Sequence, residues 1–453
     1  MMNGRRKRTP MIRHIVKRDG RLVPFDREKI VFAVYRAAVA VGGRDRTLAE
    51  LVTDDVMTLL EKRQSGASQP TVEEVQDSVE KCLIERGHAA TAKAYIVYRY
   101  EHALKRQGRE SLTYSSENIP YKKLWEALSW AVDNSCVTTR ELTAIWERGA
   151  LTSLIAASEE FYKSQIDAAF AKIEERLPEI KILIIGGPSS SGKTTTTLKI
   201  GERLVARGYT LTPLAIDNYF YNLEDHPRDN HGDYDFETPQ AIDLNLVNRH
   251  LSMLLEGTSV DVPSYNFKTG RREGTSGSLS LGPKGIVLVD SLHGMFPQMT
   301  AGIDEGKKFK LYIETLSQLK DNAMQYVRWS DVRMLRRMVR DVQFRNYSPR
   351  HTILHWHHVR RSELRYIVSK LREAHAIVNS YLAYELLFMK KRCASFIDGF
   401  VKEFADSIDF EDAAERALRC QSLFGEIPTA EDETLVPTDS LLREFLGGSV
   451  YTY

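Results

Sequence analysis

The sequence predicts an α/β protein: a doubly wound, mainly parallel sheet preceded by a mostly α-helical module. Three observations predict it. Ile182 to Ile185 form a short unbroken apolar run, the pattern of a strand buried on both faces. Leu214 to Asp217 and Ile286 to Asp290 repeat that pattern and end on acids, at the strand ends where open α/β sheets place their ligands. Apolar residues at helical spacing fill the intervals.

With 453 residues the chain exceeds one ordinary core, and we divide it into a basic tail (1–10), an N-terminal module (11–105), a helical linker (106–178) and an α/β domain (179–453). A net charge of only +2 excludes wholesale nucleic-acid binding, so any basic function is local. The run Arg5, Arg6, Lys7, Arg8 reads as a solvated tail. Cys82, Cys136, Cys393 and Cys420 form no C-x-x-C pair, which removes zinc-ribbon and thioredoxin-like readings. No apolar run approaches the length of a membrane span. A cytoplasmic protein without nucleic-acid or membrane partners is expected, and a homo-oligomer is left open.

Within the first module, strand-like runs at Ile12 to Val16 and Arg21 to Val23 flank Arg18-Asp19-Gly20, a hairpin signal. Asp26 is an N-cap for a helix carrying Ile30, Val34, Ala37 and Ala38. Thr71 to Glu74 is a capping box, and another helix is expected from about Ala89 to Leu104. The blocks V-K-R-D-G-R (Val16 to Arg21), F-D-R-E-K-I (Phe25 to Ile30) and A-Y-I-V-Y-R (Ala94 to Arg99) resemble the ATP-cone, a regulatory nucleotide-binding domain. That resemblance implies that Lys17, Arg18, Lys29 and Lys93 contact the phosphates of a bound ATP or dATP. A solvated basic hairpin is the other reading. In the linker, Leu124, Trp125, Leu128 and Ala131, and then Phe161, Ile166, Phe170 and Ile173, recur at helical spacing. We read Trp125, Trp130 and Trp146 as core or interface anchors.

In the α/β domain, Gly187 to Thr194 reads G-P-S-S-S-G-K-T and fits G-x-x-x-x-G-K-[ST] with a strand before it and a helix after it. Backbone N–H groups of Gly187, Pro188's successors Ser189, Ser190 and Ser191, Gly192, Lys193, Thr194 and Thr195 are expected around phosphate oxygens at a helix N-terminus. Lys193 is expected to reach the β/γ-phosphates and Thr194 to ligate Mg²⁺. Asp290 stands where a strand-end acid holds Mg²⁺. Arg333, Arg336, Arg337 and Arg340 recur on one helix face, with Leu335, Met338, Val339 and Val342 opposite. The spacing predicts a guanidinium row that either closes over the γ-phosphate or stays solvated.

The segment resembles the uridine kinase and phosphoribulokinase family through that loop, I-D-N-Y-F (216–220), Y-D-F-E-T-P (234–239), P-S-Y-N-F (263–267), V-L-V-D (287–290) and D-V-R-M-L-R-R-M-V-R-D (331–341). W-H-H-V-R-R (356–361), Y-E-L (384–386) and L-R-E-F-L-G-G-S (442–449) look like a longer bacterial branch. The resemblance implies a P-loop NTPase fold using ATP and Mg²⁺, with Asp217 accepting the proton of the attacking hydroxyl. It implies Glu237 and Tyr265 in the acceptor pocket, and Arg337, Arg340 and Arg345 in the lid. Departures bear on the acceptor: Glu237 replaces an Asp, Gly270 replaces a His that reads the pyrimidine, and Tyr347 replaces a lid Arg. His351, His355, His357 and His358 lack the carboxylate or Cys of a tetrahedral metal set and read as a lid or packing element. The sequence thus points to a nucleoside kinase under ATP or dATP control. A kinase for a phosphorylated sugar or glycerate-type acid, and a non-catalytic nucleotide-sensing regulator, are the alternatives.

Overall fold

The computed structural model describes residues 12–16, 22–43, 46–63, 69–96, 119–228, 234–345, 347–405 and 410–452. The chain divides into two compact units, residues 1–111 and 112–453.

In the first unit, β1 (His14–Val16) and β2 (Leu22–Pro24) pair antiparallel. Helices α1 (Arg27–Val39), α2 (Arg46–Arg63) and α3 (Val72–Glu85) follow, and residues 89–96 are helical. Asp26 caps α1 by accepting from the Glu28 N–H at 3.0 Å, and Thr71 and Glu74 complete a capping box on α3. Ile30, Val34, Val52, Val56, Val79 and Leu83 fill the core between these helices.

In the second unit, α4 (Tyr121–Asp133), α5 (Thr139–Glu147) and α6 (Leu151–Glu174) precede the sheet. They share its core: Leu154, Tyr162, Ile166, Phe170 and Ile173 of α6 belong to the apolar cluster that holds Leu183 and Ile185. Trp130 stacks on Phe161 at 4.9 Å, whereas Trp125 is 69% exposed. The core reading of Trp125 thus fails because α4 turns Ala127 and Ala131 inward instead.

The sheet comprises β3 (Ile182–Gly186), β4 (Thr210–Pro213), β7 (Gly285–Asp290), β8 (Lys308–Glu314) and β9 (Ala376–Asn379), in the order β4-β7-β3-β8-β9 with every pair parallel. A separate hairpin is formed by β5 (Val260–Asn266) and β6 (Arg271–Leu279). Side chains of central β3 alternate between faces: Leu183 and Ile185 enter one cluster, Ile182 and Ile184 the other. That double burial explains why the run carries no polar position. Helix α7 (Lys193–Ala206) returns the chain to β4, and α8 (Leu244–Leu255) covers the opposite face. The C-terminal part adds α9 (Trp329–Arg340), α10 (Pro349–Ser362), α11 (Glu385–Phe404), α12 (Glu411–Glu426) and the short α13 (Arg443–Leu446).

One strand differs from expectation. The run Leu214 to Asp217 is not a strand; β4 ends at Pro213 and Asp217 lies on the 3₁₀ turn Ile216–Tyr219. The ladder continues only through the Leu214 N–H, which donates to the Leu288 carbonyl at 2.9 Å. The apolar side chains Leu214 and Ile216 are buried all the same, so the burial was legible and the hydrogen bonding was not.

Candidate functional site

The phosphate loop sits at the carboxyl end of β3, the central strand. Its backbone is built for close approach: Gly187 has φ 149° and an added Cβ would lie 2.2 Å from the Ile313 carbonyl oxygen. Gly192 has φ 83° and caps α7, a left-handed conformation that suits Gly. The buried Ser190 and Ser191 hydroxyls have no hydrogen-bond partner among the described residues. Lys193 donates to the Gly187 and Pro188 carbonyls, both at 3.0 Å, and burial lowers its ammonium pKa despite Asp290 and Glu444 nearby. Thr194 follows in the first turn of α7, half-buried.

Asp290 ends β7 in register with Ile185, immediately before the loop. Burial raises its carboxyl pKa, Lys193 opposes the rise, and Glu444 and Asp217 add to it. Asp217 is accessible to the cleft, yet the surrounding protein raises its pKa too, against the fields of Arg345 and Lys193. Asp290 at the end of β7 and Asp217 on the turn after β4 are therefore both within electrostatic reach of Lys193.

Helix α9 corrects the guanidinium row. Arg333 and Arg336 are 1% and 0% exposed and neither faces solvent nor covers the site as a mobile lid. Arg333 donates to both oxygens of Glu363 at 2.6 and 2.9 Å and to the Ser189 carbonyl at 3.0 Å; Glu314 lies 3.0 Å from its Nε. Arg336 donates to Glu385 at 2.6 and 2.9 Å and to the Ser380 carbonyl at 2.8 Å. Burying two guanidinium groups demands such full pairing, and the carboxylates that supply it come from remote segments.

Arg337 and Arg340 do border the site. Arg337 donates to the Ser189 hydroxyl at 3.2 Å and to Asp341 at 3.2 Å, and it lies 4.0 Å from Glu237. Arg340 donates to Asp341 at 3.2 and 3.1 Å, and Arg345 lies 3.8 Å from the same carboxylate. Three cations thus share one buried acid. Burial and the like charges of Arg345 and Arg337 lower the Arg340 pKa, with Asp341 opposing. Burial also raises the pKa of Glu237, against Arg337.

Three residues past Asp217, Phe220 joins an aromatic cluster. Phe220 is 5.6 Å from Tyr265 and 5.6 Å from Phe236, and Phe267 is 5.0 Å from Tyr265, all between ring centroids. The Tyr265 hydroxyl is buried and has no hydrogen-bond partner among the described residues, an orphan that a ligand would satisfy. At the departure Gly270, Leu223 occupies the space: an added Cβ would meet Leu223 Cβ at 2.8 Å.

Lys29 and Lys93 are exposed on the first unit, whereas Lys17 and Arg18 lie outside the described residues. The histidines of α10 form a stack with Tyr347, with Tyr347 to His351 5.1 Å and His351 to His355 5.5 Å between centroids. Sequence reasoning gave no role to Glu363, Asp341 or Glu444; Glu363 and Glu444 reach the loop across 174 and 249 positions. Asp341 and Glu444 lie in motif blocks, 331–341 and 442–449, without a function of their own.

A phosphate loop at the end of a central parallel strand, with Asp290 at the end of the adjacent strand, Asp217 on the turn after β4 and arginines beside it, defines a P-loop phosphotransferase. Residues 182–385 match the phosphoribulokinase / uridine kinase family and residues 13–104 match the ATP cone domain; the chain carries a kinase domain of that family behind an ATP cone. It is 28% identical over 198 residues to a uridine kinase of Deinococcus deserti, covering 44% of this chain and 86% of that protein. A uridine kinase of Schizosaccharomyces pombe is 31% identical over 169 residues, 37% of this chain and 33% of its own length. A vitamin B12-dependent ribonucleoside-diphosphate reductase of Thermoplasma acidophilum is 36% identical over 105 residues, 22% of this chain and 13% of that protein. No helix among the described residues is long and apolar enough to cross a membrane.

Proposed function

We propose that the second unit transfers the γ-phosphoryl group of ATP to a hydroxyl of a small acceptor, a nucleoside of the uridine or cytidine type. The observation that carries this reading is Asp217, which lies within the fields of Arg345 and Lys193 on the turn that leads directly to Phe220 of the aromatic cluster. In this reading Asp217 accepts the proton of the acceptor hydroxyl as it attacks, and the Asp217 anion also orients that hydroxyl. Lys193, Arg337 and Arg340 bind and stabilise the charge that spreads over the transferred phosphoryl oxygens. Glu237 and Tyr265 hold the acceptor, Tyr265 through its orphaned hydroxyl.

The Thr194 hydroxyl and the Asp290 carboxylate are hard oxygen donors beside the loop, the chemistry that suits Mg²⁺, which takes one or two protein ligands and fills its shell with phosphates and water. The ion would neutralise charge on the β- and γ-phosphates. ATP or dATP at the cone, with Lys17, Arg18, Lys29 and Lys93 as phosphate contacts, would set the kinase's activity or assembly, and any such coupling is reciprocal.

A second reading has its own support. Arg337, Arg340 and Arg345 face Asp341, with Glu237 4.0 Å from Arg337, an excess of cation suited to an acceptor with a phosphate or carboxylate. Incubating the full chain with labelled ATP, Mg²⁺ and separate panels of nucleosides, sugar phosphates and glycerate-type acids distinguishes the two by the labelled product. Labelling of none would favour the non-catalytic regulator.

A further inference from the structure

The phosphate loop already holds an anion supplied by the chain itself. Glu444 accepts from the Thr195 backbone N–H at 3.1 Å and from the Thr195 hydroxyl at 2.7 Å, both through Oε2. Thr195 lies in the first turn of α7, where N–H groups lack intrahelical partners and the helix dipole favours negative charge. In a P-loop those same N–H groups cradle the α/β-phosphates. The Glu444 carboxylate thus stands in the place of a phosphate oxygen.

This contact is built into the fold. Glu444 is 6% exposed. Leu441 is seated on Gly192, so closely that a Cβ there would lie 2.3 Å from Leu441 Cδ1. Lys199 pairs with Asp439 at 3.1 Å, and Ser440 donates to Glu159 at 2.5 Å. Arg443 donates to the Glu433 and Val436 carbonyls at 2.8 and 2.7 Å, which fixes the turn that aims Glu444. On the other side Lys193 is folded back onto loop carbonyls. Lys193, Arg340 and Asp290 all lie within electrostatic reach of Glu444. The cations hold the carboxylate, while Asp290 repels it.

We propose that the C-terminal strap from Val436 to Leu446 is a built-in competitor of nucleotide phosphate, and that ATP occupies the loop only by displacing the Glu444 carboxylate from Thr195. The inference rests on the reading that this loop binds ATP, and adds that its loading is an exchange of one anion for another. Removing the Glu444 charge therefore strengthens nucleotide binding, although the residue lies inside the phosphate site.

Because the cone offers a second nucleotide site, occupancy must be read locally. Hydrogen exchange of the full chain, titrated with β,γ-imido-ATP and Mg²⁺, reports the kinase site through residues 187–200 and the strap through residues 436–447. Wild type and Glu444→Gln are compared, the substitution keeping size and hydrogen-bonding capacity. The expected result is a midpoint about tenfold lower for Glu444→Gln, equivalent to about 1.4 kcal/mol. In wild type, the strap should lose protection in step with the gain at residues 187–200. An equal or higher midpoint in Glu444→Gln, or a strap equally protected in the saturated wild-type complex, overturns the inference while leaving the ATP site intact. If Glu444→Gln does not fold, the wild-type strap decides alone. Failure of both proteins to gain protection at residues 187–200 removes the ATP-site reading and this inference with it.

Discussion

Arg333 and Glu363 form a buried bidentate pair at 2.6 and 2.9 Å, and each also binds the phosphate loop at the same residue: Arg333 donates to the Ser189 carbonyl at 3.0 Å and Glu363 accepts from the Ser189 N–H at 3.1 Å. The loop's curvature is therefore set by a cation and an anion from outside the glycine-rich motif. Removing Arg333 leaves two buried carboxylates, Glu363 and Glu314, short of a cation, with Arg360 still paired to Glu363.

We predict that Arg333→Met alone destabilises the second unit by about 3–5 kcal/mol. Denaturant unfolding monitored by tryptophan fluorescence measures it. A change under about 1 kcal/mol would place the pair among weak surface contacts and contradict its burial.

Asp217→Asn should lower kcat by about 10²–10⁴-fold, the usual worth of a general base, with ATP binding retained. Its raised pKa has a second consequence. An acid held above its ordinary value of 3.8 makes the charged folded state costly, so the neutral Asn should unfold no earlier, and slightly later, than wild type. Sign and pH agree: kcat/KM for wild type should fall on the acid side through an apparent pKa above that value, and the residual activity of Asp217→Asn should lose this limb.

His293 is 2% exposed, and burial, with Lys193 beside it, pushes its pKa down to about 3. The folded state holds the ring neutral, whereas the unfolded chain takes up a proton below about 6.5. Its contribution to stability is full above pH 6.5 and is lost as pH falls toward 3. Between pH 7.5 and pH 5 the loss should be about 2 kcal/mol, and His293→Gln should remove that part of the slope in urea titrations at the two pH values. Parallel pH dependences for the two proteins would contradict it.

Gly270 has φ 69° and Leu223 Cβ would lie 2.8 Å from an added Cβ. Gly270→Ala should cost about 1–2 kcal/mol from the left-handed backbone alone. Gly270→His, which restores the side chain that the family resemblance associates with pyrimidine reading, should not improve nucleoside turnover, because Leu223 holds the space. Improved kcat/KM for uridine in this variant would show that Leu223 yields.

The sequence made the loop, its flanking strand and helix, and the acids Asp217 and Asp290 legible because each depends on local spacing. Helix α9 was legible as a helix and misread as a surface. The i, i+3, i+4, i+7 spacing of its arginines is a property of one segment, but the burial of Arg333 and Arg336 depends on Glu363 and Glu385, whose approach no local pattern records. The same holds for Glu444, which meets Thr195 across 249 positions. The end of β4 was missed for a smaller reason: Leu214 and Ile216 are buried like strand residues while the backbone has already turned toward Asp217.

The most direct test is a transfer assay with γ-labelled ATP, Mg²⁺ and uridine or cytidine, in which the product is identified by mass spectrometry for wild type and Asp217→Asn. The account predicts a labelled monophosphate ester of the nucleoside with wild type, and formation at least about 10²-fold slower with Asp217→Asn. Labelled ester formed equally fast by Asp217→Asn, or no ester from any hydroxyl acceptor while ATP still binds the loop, would contradict it.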